Sequence, residues 1–183
     1  MTSDLISVII SRCVKGGTEM TENNVKIPQI IALILEGLSL AAAILSVLTQ
    51  DSIYAAYIGS TQLTGQHVVP VTVYIIIAAF IVQLVFFIAS QSYKGRSRRL
   101  IAGIVATVYV MISISSQWLN LLANIVISRQ GADKLAAYAT LNSSITNTTG
   151  AFIAVSSALF FIALGRYGIS KNPEDVNSLY YQA

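Results

Sequence analysis

Glu36 is the residue of this chain whose type and position most directly suggest chemistry. It stands inside Ile27–Leu48, an apolar run that holds no other charge. Read as a helix rising ~1.5 Å per residue, the run places Glu36 about 12 Å from its start. In hydrocarbon, a carboxylate at that depth is costly unless it is paired, hydrated or protonated. One reading is a relay for protons or cations, or a contact for lipid or substrate. The other is a hydrogen-bonded carboxyl that holds helices together. No Lys, Arg or His lies at similar depth in another apolar run, so the candidate partners are neutral: Gln83, Ser113, Gln117 and Asn120.

Spacing extends the pattern. Ala32, Glu36, Ser39, Ala43 and Ser46 recur at intervals of four, three, four and three, a stripe of small and polar residues suited to close helix contact in membranes. Ser113, Ser116, Gln117, Asn120 and Asn124 form a similar stripe in a later run, opposite a face of Ile, Val and Leu. That stripe is expected to turn inward and meet the face of Glu36, lining either a packed interior or a polar path. Gly150, Ala154 and Ala158 carry a small-xxx-small spacing that predicts helix packing. Tyr109 and Trp118 stand mid-run and read as packing residues.

Other chemistry is scarce. A single His, His67, and a single Cys, Cys13, argue against a metal site and rule out an intramolecular disulfide. The sequence has no GxSxG, CxxC, Walker or HExxH motif, so neither an enzyme nor a cofactor is expected. His67 reads as a pH-sensing group or, more simply, as a solvated loop residue.

The elements that must position these residues are four apolar stretches, Ile27–Leu48, Val71–Ser90, Leu100–Ile127 and a fourth centred on Ala151–Leu164 and extended to 148–168. Each has roughly the 20 residues that a helix needs to cross a ~30 Å hydrocarbon core. Backbone polar groups must pair internally in lipid, so these stretches are helical. The fold class is therefore all-α: a four-helix transmembrane bundle with a short amphipathic N-terminal helix. In a chain of 183 residues, 55% hydrophobic and 10% charged, no space remains for a second domain. The organisation is residues 1–26, an N-terminal segment; 27–169, the bundle; and 170–183, a polar tail. Within the first segment, Leu5, Ile6, Ile9 and Cys13 share one face of a helix over 3–15, which suits the headgroup region. Cys13 there is a candidate for S-palmitoylation or an ordinary buried thiol. Gly16-Gly17 is expected to end that helix, with 18–26 as linker. Pro28 and Pro70 are expected at first turns.

Charge sets an orientation. Arg12, Lys15, Lys26, Lys94, Arg96, Arg98, Arg99, Arg166 and Lys171 fall on one side of alternating spans, and only Arg129 and Lys134 on the other. The positive-inside bias makes both termini and the 94–99 turn cytoplasmic. The loops 49–70 and 128–150 then face outward, the first with room for short strands or a partial helix. The net charge of +3 is explained by this distribution and does not point to nucleic acid. The second outer loop holds two sequons, at Asn142 and Asn147, which read as glycosylation acceptors or as an unmodified polar loop. Used sequons would place the chain in the plasma membrane or a membrane of the secretory pathway.

Two segments carry a resemblance: Ile30-Ile31-Ala32-Leu33-Ile34-Leu35-Glu36-Gly37-Leu38 in the first span, and the basic turn Lys94-Gly95-Arg96-Ser97-Arg98-Arg99. With four spans and modest outer loops, the chain resembles the MARVEL-type tetraspan families. That resemblance implies vesicle traffic, membrane apposition or lateral organisation of membrane domains, often with self-association, and it carries over no catalytic residue. Claudins, tetraspanins and connexins need outer-loop cysteines that are absent here. Small multidrug transporters also bear a first-span glutamate but have much shorter loops.

The sequence thus predicts a non-enzymatic protein of the bilayer, partnered by its own copies or by other membrane proteins. The alternatives are an oligomeric channel or small transporter using Glu36 and the third-span polar face, and an accessory subunit of a larger membrane complex.

Overall fold

The computed structural model describes residues 2–58, 68–92 and 98–169, with side-chain surroundings for 25–56, 68–91 and 98–168. Among these residues the fold is all-α. Its helices are α1 (Thr2–Leu48), α2 (Gln50–Ile58), α3 (Val71–Ser92), α4 (Arg98–Ser128) and α5 (Ala132–Ile169). Four segments are long and apolar enough to cross a membrane: Val25–Leu48, Val71–Gln91, Arg98–Ser128 and Ala132–Gly168. The chain is an integral membrane protein of four candidate spans, carried by α1, α3, α4 and α5.

The spans form a ring. α1 packs on α5 and α3, and α4 packs on the other flanks of the same two helices. α1 and α4 therefore face each other across the bundle and scarcely touch. The expected meeting of the third-span polar stripe with the first span does not occur. Polar periodicity marks which face of a helix leaves lipid, but not which neighbour receives it.

The α1 seam is as its spacing predicts. Ala32, Glu36, Ser39 and Ala43 are all fully buried, and Gln29 extends the stripe one step toward the N-terminus. Small side chains here let α5 come close. Two apolar layers flank this seam. One gathers Phe86, Tyr109, Phe160, Leu164 and Tyr167. The other gathers Ala43, Val73, Ile76, Leu141 and Ile145. In the first layer Phe160 meets Phe86 edge-on with ring centres 5.6 Å apart, and Tyr109 at 4.8 Å.

Three local readings change. The helix continues through Gly16-Gly17 and Pro28 to form one α1 of 47 residues. Glycine lowers helix propensity by only about 1 kcal/mol, and proline's missing N–H leaves one carbonyl without its usual donor. The expected 128–150 loop is mostly the first half of α5, after a turn at Gly131 with φ of 133°. Tyr138, Leu141, Ile145 and Thr149 return at helical spacing along it and are buried, which outweighs its polar composition. The 49–70 loop begins with α2, the partial helix anticipated there, packed against α5. Pro70 is buried just before α3, and its carbonyl accepts from Val73 N at 3.0 Å. His67 and the 170–183 tail lie outside the described residues, as do the surroundings of Cys13.

Candidate functional site: a polar cluster shared by four helices

Gln83 of α3 is the hub of a buried polar cluster. Its Nε2 lies 2.9 Å from Ser156 Oγ, 3.3 Å from Tyr109 Oη and 3.5 Å from Glu36 Oε2. A carboxamide has two N–H hydrogens, so these three oxygens share them, with Ser156 the closest. The Ser156 hydroxyl in turn donates to the Ala32 carbonyl at 2.9 Å. Tyr109 Oη pairs with Ser157 Oγ at 2.8 Å. The cluster takes Glu36 from α1, Gln83 from α3, Tyr109 from α4, and Ser156 and Ser157 from α5. Every span contributes, which pins all four in one register.

Glu36, Gln83 and Ser156 are each exposed by 1% or less. The groups around the carboxyl are neutral: Gln83, Ser156 and Tyr109. Glu36 Oε1 and Gln83 Oε1 have no hydrogen-bond partner among the described residues. A buried acceptor left unpaired costs about 1–3 kcal/mol. The cluster therefore has two acceptor positions to offer to a further donor.

A second cluster lies nearer the start of α3. The Tyr138 hydroxyl donates to Asn120 Oδ1 at 3.0 Å, and the Thr72 hydroxyl bonds Asn142 Oδ1. Asn120 and Asn142 thus tie α4 and α5 to the start of α3. On the other side of the bundle, Gln29 Nε2 donates to Ser90 Oγ at 3.1 Å.

The structure brings together Glu36 and Gln83, as expected, and separates the rest of the predicted seam. Ser39 is buried but spends its hydroxyl on the Leu35 carbonyl of its own helix at 3.0 Å. Ser113 is exposed and bonds the Tyr109 carbonyl at 3.0 Å. Gln117 is exposed, and Asn124 is half-buried. Asn120 belongs to the second cluster. The small residues of α5 also point outward: Ala154 and Ala158 are exposed, and a Cβ added at Gly150 would meet nothing within 4 Å. Trp118, read as a packing residue, is 66% exposed. The two sequons sit on helical backbone, with Asn142 half-buried and Asn147 exposed.

Sequence reasoning missed Tyr109, Ser156 and Ser157 as members of the cluster around Gln83. Their signal was depth. Tyr109 lies about midway along the candidate span Arg98–Ser128, and a mid-membrane tyrosine needs a partner for its hydroxyl.

Comparison with protein-family models, with curated proteins and with solved structures gave no match.

Proposed function

We propose that this chain is a non-enzymatic membrane protein that organises membranes by assembling with copies of itself. One observation carries the reading: the Gln117 carboxamide lies on the exposed side of α4, in a span, with no hydrogen bond to the described residues. In hydrocarbon such a group costs a few kcal/mol. A second copy brings its own Gln117, and a carboxamide both donates and accepts, so a two-fold pair satisfies both. The outward Ala154 and Ala158 of α5 support the same reading, because small residues let helices of different copies approach. α4 also buries the smallest share of its residues among the four spans. The layout resembling MARVEL-type proteins points the same way. With the basic end inside, the termini face the cytoplasm of a plasma or vesicle membrane.

Single-molecule photobleaching in dilute proteoliposomes tests the proposal. The wild type is expected to show multi-step bleaching, with a severalfold loss of oligomer in Gln117→Leu and Ala154→Phe. A wild type that stays single at every protein density overturns it, and moves weight to an accessory subunit of another complex. The channel reading has weaker support, since Glu36 is enclosed by Gln83 and Ser156 rather than lining an open path. A conductance that disappears in Glu36→Gln would restore it.

A further inference from the structure

We infer that the groove between the start of α4 and the end of α5 is a binding site for one anionic phospholipid. Arg99, Ala102 and Ala106 of α4, with Phe161, Leu164, Gly165 and Gly168 of α5, line a cavity of about 370 Å³ open to the side of the bundle. That volume lies within the ~300–1,000 Å³ typical of ligand sites. The groove exists because both helices present small residues there. Its floor is closed at Gly168, where an added Cβ would lie 3.4 Å from the Ala102 Cβ. Above Gly165 it is open, and an added Cβ would meet nothing within 4 Å. Phe161 walls the deeper end.

Chemistry selects the occupant. The wall is apolar and faces the membrane side, which suits an acyl chain. The mouth bears Arg99, exposed and without a hydrogen bond or ion pair to the described residues, which suits a phosphate. Its neighbour Arg98 is otherwise engaged, with its guanidinium 5.4 Å from the centre of the Tyr167 ring. Lys26, Arg98, Arg99 and Arg166 all lie at this end of the bundle, so its field favours negative headgroups. A second copy seated by two-fold symmetry would bring another Arg99 to the same mouth, and like charges repel. The inference stands apart from self-assembly through Gln117, which lies more than four turns further along α4.

Spin-labelled phosphatidylserine and phosphatidylcholine, compared by electron paramagnetic resonance in proteoliposomes of the full chain, test the site. The motionally restricted fraction of phosphatidylserine is expected to exceed that of phosphatidylcholine by about fivefold in affinity, the effect of one basic residue at a membrane surface. Arg99→Gln should bring the two lipids level. Gly165→Leu should reduce the restricted fraction of both, with Gly165→Ala as a folded control. Equal affinity for the two lipids in the wild type overturns the inference. So does a preference that survives both Arg99→Gln and Gly165→Leu. A Gly165→Leu variant that loses oligomer while keeping lipid selectivity assigns the groove to a second copy, and also overturns it. Loss of oligomer in Gln117→Leu alone leaves the lipid result unaffected, so the two proposals fail separately.

Discussion

Ser156 Oγ donates to the Ala32 carbonyl across 2.9 Å and accepts from Gln83 Nε2 at the same distance. One hydroxyl thus joins α5 to the backbone of α1 and to the side chain at the centre of the polar cluster. At this point the small α1 seam lets a neighbouring helix reach main-chain oxygen.

Ser156→Ala is expected to destabilise the bundle by about 0.5–1.5 kcal/mol, the range for hydrogen bonds inside membrane proteins. Ser156→Leu should cost more, because the seam has no room for the side chain. Equilibrium unfolding in mixed mild detergent and dodecyl sulfate measures both. Equal stability of Ser156→Ala and wild type would remove the hydroxyl from this role.

Glu36 and Gln83 should show strong non-additivity. Gln83→Leu leaves the Glu36 carboxyl in an apolar site with one fewer partner, at about 1–3 kcal/mol. Glu36→Leu leaves Gln83 with its other acceptors, Ser156 and Tyr109, and should cost less. The Gln83–Glu36 contact is lost in each single variant but only once in the double, so the double loss should be smaller than the sum of the single losses. A double-mutant cycle read by the same unfolding assay checks the sign. Strict additivity would mean that the two side chains are not energetically coupled.

The aromatic layer predicts a larger effect. Phe160 is fully buried and touches the rings of Phe86 and Tyr109. Phe160→Ala should destabilise by about 3–5 kcal/mol, as large-to-small core changes do, with Phe160→Leu retaining much of that. A thermal unfolding series would show the order wild type, Leu, Ala. A Phe160→Ala protein as stable as wild type would mean that this layer does not hold α5 in place.

Close packing at the end of α5 gives a paired test. At Gly168 an added Cβ would lie 3.4 Å from the Ala102 Cβ and 3.8 Å from the Arg99 Cα, whereas at Gly165 it meets nothing within 4 Å. Gly165→Ala should be neutral or stabilising by up to about 1 kcal/mol through helix propensity. Gly168→Val should destabilise by about 1–3 kcal/mol through overpacking against α4. The melting temperature should therefore fall for Gly168→Val and hold or rise for Gly165→Ala.

The spans were legible because lipid imposes a coarse rule: about 20 apolar residues and helical backbone. Val25–Leu48 and Val71–Gln91 depart from the expected bounds by two residues or fewer. The α1 seam was legible too, since Ala32, Glu36, Ser39 and Ala43 share a face whatever lies opposite. Depth put Gln83 among four neutral candidates for Glu36, with Ser113, Gln117 and Asn120, and only the structure selects it. The identity of the opposing helix was not legible, because Ser113 and Gln117 look alike whether they face α1, α5 or another copy. Serine was the least readable residue. Ser39, Ser46 and Ser113 each bond a carbonyl four residues back, while Ser156 reaches a carbonyl 124 positions away. Composition cannot tell these uses apart. The first half of α5 was obscured by its Ser, Thr and Asn content, although Tyr138, Leu141 and Ile145 carried the helical period.

The ring closes between α1 and α5. Glu36 enters the membrane with α1, well ahead of α5, the helix that bears Ser156. Until α5 inserts, the carboxyl has Gln83 as its hydrogen-bond partner, and the α1 face that α5 covers lies open. Insertion of α5 and burial of the intramembrane acid are therefore one event, and a nascent product that stops before α5 exposes a carboxyl-bearing groove to membrane quality-control proteases and chaperones.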